Sequence, residues 1–246
     1  MDTQSFLHTL PAFFAFFLFI YFMAYFAVFR NWPLAARPEA ASCMISIFHG
    51  TPAVVLASAA ILADPLRSFS SANTAAQNSV LEFSVAYFLM DLIHYLIFYP
   101  SDVLFIGHHL ATLFVFLTCR YLTHHGAYAI LTLLILAEVT SACQNVWTLA
   151  NARRLDNAFA AKVFDVLSPP FYTLYLVVRG FLGPYFVLQM GSSYISGVAE
   201  GVIPKWVWVS WLVVVGLAIS VSILWISNLW VQLYRERSAK LGKKLT

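Results

Sequence analysis

Residues Asp91 to Thr112 read DLIHYLIFYPSDVLFIGHHLAT. The stretch has the form of one membrane-spanning helix ending, a very short turn at Pro100, and a second span beginning. Asp91 and His94 precede the turn; His108 and His109 follow it. A charged side chain facing hydrocarbon at the centre of a span costs about 3 kcal/mol on insertion scales. Ionisable groups gathered at this depth are therefore expected to point into a cavity inside a helix bundle.

The composition around this stretch agrees with a bilayer setting. Hydrophobic residues make up 61% of the 246, and charged residues only 10%. Ordinary soluble domains run at roughly 45–50% apolar and about 25% charged. The three cysteines, Cys43, Cys119 and Cys143, have neither disulfide-framework nor metal-site spacing. The formal charge of +3 gives no nucleic-acid surface.

A span needs about 20 mainly apolar residues. Candidates run from Pro11 to Phe29, Cys43 to Ala63 with a kink at Pro52, Ser79 to Tyr99, Val103 to Tyr121, Gly126 to Ala150, Ser168 to Met190 and Trp206 to Tyr234. Ser168-Pro169-Pro170 reads as the start of the sixth, after a hydrophilic loop NARRLDNAFAAKVFD. Trp206, Trp208 and Trp211 at one end of the seventh, with Trp230 and Tyr234 at the other, read as interfacial aromatic belts. The expected organisation is an N-terminal helix and loop (1–42), a bundle (43–234) and a basic tail (235–246).

Seven spans put the termini on opposite sides. With the C-terminus in the cytoplasm, that side carries Arg30, Arg37, Arg153, Arg154, Lys162, Arg235, Arg237, Lys240, Lys243 and Lys244. The other side keeps Arg67, Arg120 and Lys205, and Arg179 lies inside the sixth span. The positive-inside rule thus gives a lumenal N-terminus and a cytoplasmic C-terminus. Lys243-Lys244-Leu245-Thr246 has the form of a dilysine address for the endoplasmic reticulum, and equally of a basic anchor to anionic lipid.

Within the bundle, His94 and the histidine pair lie about one and a half turns in from the same side. Asp91 shares a face with His94, and Thr112 with His108. His108 and His109 point about 100° apart, so one is expected to face a ligand and the other a neighbouring helix. The fifth span adds Glu138 and, on the same stripe, Asn145; the sixth adds Arg179, expected to pair with Asp91 or Glu138. Together these predict a polar pocket walled by spans three to six. The same groups could serve as interhelical hydrogen bonds alone. His49 and His8 read as structural or interfacial. The seven histidines are too scattered for a clustered-histidine iron site, and no metal is expected.

His108-His109-Leu110-Ala111-Thr112 resembles the TLC family, which includes the ceramide synthases and smaller lipid-regulating proteins. Asp91-Leu92-Ile93-His94 and Ala137-Glu138-Val139-Thr140-Ser141 with Asn145 resemble the smaller members. The resemblance covers roughly Cys43 to Tyr234. It implies an all-α polytopic membrane protein of about seven transmembrane helices, six or so forming a barrel-like bundle around a central cavity. It also implies a role in membrane lipid homeostasis, with membrane lipids as partners and no cofactor. Carried over from the synthases, His108 or His109 would be general base or acyl acceptor, with acyl-CoA as substrate, and Asp91 or Glu138 would orient the imidazole. The chain departs from the synthase pattern, since no second carboxylate follows Glu138 before Asp156. Lipid binding without chemistry is the leading expectation. The alternatives are a ceramide-synthase-like N-acyltransferase and a trafficking or structural membrane protein.

Overall fold

The computed structural model describes residues 9–245, with side chains to residue 235 and at 238. His8 and the side chains of Lys243 and Lys244 lie outside the described residues. The described residues are mostly helical, with seven helical stretches long and apolar enough to cross a membrane. The protein is an integral membrane protein.

The helices are α1 (Thr9–Met23), α2 (Arg37–Ala63), α3 (Ala75–Phe98), α4 (Val103–Leu117), α5 (Ala127–Glu138), α6 (Ser141–Arg153), α7 (Ala158–Tyr175), α8 (Gly183–Ile195) and α9 (Lys205–Leu245). π-Helical turns extend α1 over Ala24–Val28 and α4 over Thr118–Thr123, and one over Leu176–Leu182 joins α7 to α8. The spans are therefore α1, α2, α3, α4, α5 with α6, α7 with α8, and α9, the π-helical turns included in the first, fourth and sixth.

The third span is the most buried. α3 packs against α1, α2, α4 and α5, while α9 closes the bundle against α4, α7 and α8. The start of α3 is fixed by a capping box: Thr74 Oγ1 accepts from Gln77 N, and Gln77 Oε1 accepts from Thr74 N. Asp102 caps α4 by accepting from Phe105 N at 3.3 Å. Between them, Asp102 N donates to Tyr99 O at 2.9 Å, making the tight turn that sets α3 and α4 antiparallel.

Three local expectations are corrected. The sixth span starts at Ala158, because the Asn157 side chain accepts from the amides of Phe159 and Ala160. The stretch read as a hydrophilic loop is largely helix, and Pro169 and Pro170 lie within α7. Hydroxyls on either side of them bond back into the helix: Ser168 donates to Phe164 O at 2.6 Å and Thr173 to Pro169 O at 2.9 Å. The fifth span is interrupted at Val139–Thr140, directly after Glu138. Finally, Trp211 is a core residue and not part of an interfacial belt, fully buried with its Nε1 donating to Thr118 Oγ1 at 2.8 Å.

Candidate functional site

The α3–α4 hairpin brings Asp91 and His109 together. His109 Nε2 lies 2.9 Å from Asp91 Oδ2, and Ser42 of α2 donates to Asp91 Oδ1 at 2.7 Å. His109 Nδ1 donates to Phe105 O at 2.8 Å, one turn back along α4. A carbonyl only accepts, so the Nδ1 proton is committed there. The contact to Asp91 then uses one proton, on the ring or on the carboxyl, and either way the pair is neutral overall. Both His109 nitrogens are thus occupied by the protein. The group ties α2, α3 and α4 into one buried polar knot.

His108 points elsewhere, as its position one residue earlier demands. Its ring stands perpendicular to that of His109, with centroids 5.5 Å apart. It faces a cavity of about 130 Å³, shared with Thr112, Glu138 and Arg179. The remaining wall is apolar, built from residues such as Phe116, Leu133, Leu134, Val214, Ala218 and Ile219. Spans three to six all contribute, and so does α9, which the sequence did not bring into the wall. Thr112 donates to His108 O at 2.8 Å, so its hydroxyl bonds back into the helix.

Glu138 lines this cavity yet leans toward α2. A Cβ added at Gly50 would lie 2.8 Å from Glu138 Oε2 and 2.9 Å from Ser141 Oγ. Glu138 Oε2 is also 3.9 Å from Nδ1 of His49. His49 is fully buried, stacked on Tyr87 at 4.0 Å, with Nε2 3.1 Å from Ser84 Oγ. Only a glycine at position 50 leaves room for this approach. Gly50→Ala is expected to cost about 1–3 kcal/mol by overpacking. Thermal unfolding checks it, and Ser141→Gly placed on top should recover part of the loss by reopening the space.

Arg179 corrects an expectation. Among the described residues it forms no ion pair with Asp91 or Glu138. Its Nη2 donates instead to Ala137 O at 2.6 Å, and its guanidinium lies 5.3 Å from the centre of the Tyr175 ring. The reason is the end of α5. Carbonyls of a last helical turn lack helical partners and carry the negative end of the dipole, so they draw a guanidinium. Arg179 reaches them from the π-helical turn Leu176–Leu182. Pro184, just beyond, has no N–H to offer the carbonyl one turn back, which disrupts the ladder at that point.

Four expected members lie outside the cavity wall: Asp91 and His109, which bond each other, and His94 and Asn145. His94 faces α1, its Nδ1 2.9 Å from the Tyr21 hydroxyl. Asn145 donates to Ser46 Oγ and to Ser141 O, both at 2.8 Å, in a seam between α2 and α6. The break at Val139–Thr140 shifts the helical phase between Glu138 and Asn145, so the stripe read from a continuous helix does not hold. His49, read as structural or interfacial, is buried in the packing of α2 on α3; as a lone histidine in an apolar helix it carries no pattern that names its partners. Arg120, counted only among the basic residues of the non-cytoplasmic side, is buried and paired with Glu82 of α3 at 2.7 Å. Among the described residues, no group of three or more His, Cys, Asp or Glu converges on a metal position.

Comparison with known proteins adds to this geometry. The family model described as the TLC domain matches residues 39–231. A relative in Arabidopsis thaliana, TLC domain-containing protein At5g14285, is 66% identical over 241 residues, covering 96% of this chain and 95% of the relative. No solved structure matches the chain.

Proposed function

Since this chain belongs to the TLC domain family, we propose that it binds a membrane lipid in the His108 cavity and contributes to membrane lipid homeostasis. One observation carries this reading: the cavity joins an apolar wall to His108, Glu138 and Arg179, which matches the two-part chemistry of an amphiphile. Intramembrane ionisable groups that face a cavity are functional candidates in their own right. The bias of basic residues supports a C-terminus on the cytoplasmic side of the membrane.

Mass spectrometry of lipid that copurifies with the protein tests the reading. Wild type should carry lipid, and Ala218→Trp, which fills the cavity from α9, should carry at least about tenfold less, a loss of roughly 1.4 kcal/mol in affinity. Equal lipid in both would remove the cavity from the account.

A second reading is an N-acyltransferase joining acyl-CoA to a long-chain amine. The observation in its favour is the His108 ring, which makes no hydrogen bond among the described residues and is open to the cavity. His108 would take the amine proton as the amide forms and the CoA thiol leaves. The carboxylate that would orient an imidazole is bonded to His109 instead, which favours binding over chemistry. Amide product from purified protein, lost in His108→Ala, would reverse that order.

A further inference from the structure

We infer that the occupant of the cavity is an anionic amphiphile, whose phosphate or carboxylate headgroup is recognised by Arg179. The inference rests on the lipid-binding reading and adds the class of ligand.

The starting point is a charge without a direct ion pair among the described residues. A guanidinium stays protonated in proteins. Arg179 has no carboxylate within ion-pair distance among the described residues, and its Nε is buried without a hydrogen-bond partner. Among the described residues its side chain donates to a neutral carbonyl, that of Ala137. The carboxylates nearest in the bundle are engaged elsewhere. Asp91 is bonded to His109 and Ser42. Glu138 shares the cavity, but its Oε2 is turned toward Gly50, Ser141 and His49. In a low-dielectric interior such a cation calls for an anion, and the planar guanidinium fork fits the oxyanions of a carboxylate or phosphate.

The surroundings fit the same ligand. The His108 ring faces the cavity and offers a second donor to the oxyanion. The π-helical turn Leu176–Leu182 is what carries Arg179 to this wall, and single π turns inside α-helices occur often at functional sites. The apolar wall formed by Leu133, Leu134, Val214 and Ile219 would take the tail.

The test uses the full chain in a neutral maltoside detergent. Dodecyl phosphate, dodecanoate, dodecanol, dodecylamine and inorganic phosphate are titrated separately. Both anionic amphiphiles should bind about tenfold or more tighter than dodecanol, and inorganic phosphate should not bind in the same range. Arg179→Gln should bring the anion-to-alcohol ratio close to one, and Arg179→Lys should keep part of it. A general loss of fold lowers both affinities and leaves their ratio, so the ratio is the readout. Dodecanol or dodecylamine binding as tightly as the anions overturns the inference and leaves lipid binding standing. An anion preference that survives Arg179→Gln overturns it too, as does inorganic phosphate binding as well as dodecyl phosphate. If no amphiphile binds, the lipid-binding reading falls with it.

Discussion

Arg120→Met is expected to lower the free energy of unfolding by about 3–5 kcal/mol, the usual cost of leaving one member of a buried ion pair uncompensated. Glu82 is 1% exposed and sits on α3, the most buried span. Both Nε and Nη2 of Arg120 bond its Oε1, at 2.8 and 2.7 Å, and the Thr9 hydroxyl bonds its Oε2. The start of α1, the first third of α3 and the π-helical turn after α4 therefore meet on one carboxylate. With Arg120 gone, that carboxylate keeps hydroxyl partners but no cation. Adding Glu82→Leu should return most of the loss, because replacing a whole buried pair with apolar groups is often neutral or better. Unfolding in mixed micelles, followed by tryptophan fluorescence, measures both variants. A single variant within about 0.5 kcal/mol of wild type, the range of ordinary surface changes, would mean that water reaches the pair.

The fate of Arg120 shows where a sequence of this kind is readable. Run lengths and Pro100 suffice for the spans and the α3–α4 hairpin, because hydrocarbon thickness fixes how many apolar residues a span needs. Helical geometry alone separates His108 from His109. It does not say which of the two turns to the neighbouring helix; the structure shows that it is His109, bonded to Asp91. What stays hidden is the choice among distant partners. A helix apolar all round has no polar face to orient it, so nothing in α2 marks Ser42, Ser46 and His49 as the residues that meet Asp91, Asn145 and Glu138. Arg179 was matched to a carboxylate by charge, but the end of α5 put a free carbonyl nearer. That end depends on Val139 and Thr140, which carry no helix-breaking residue.

The knot at Asp91 separates the functional readings by a comparison of two substitutions. His109→Leu leaves the Asp91 carboxylate with Ser42 alone, in a site where Asp91 is 4% exposed. It should cost about 3–5 kcal/mol, as removal of one partner of a buried charged pair does. Asp91→Asn is different, although it removes the acid altogether. The new amide oxygen can still accept from Ser42, and the amide N–H can donate to His109 Nε2. A neutral His109 supplies the acceptor required, while its Nδ1 proton continues to serve Phe105 O. Every group stays satisfied, so the change should cost less than about 1 kcal/mol, near the net worth of one ordinary hydrogen bond. What Asp91→Asn removes is the extra proton the pair shares. If the pair only holds α2, α3 and α4 together, copurifying lipid and cellular lipid profile should match wild type in Asp91→Asn and change only in the destabilised His109→Leu. If the pair takes part in chemistry through His108, Asp91→Asn should keep the fold and the bound lipid while abolishing amide formation. Thermal unfolding, lipid mass spectrometry and the acyl-transfer assay on this one variant decide between holding and reacting. The neutrality of the pair and the bonding of both His109 nitrogens favour the first outcome.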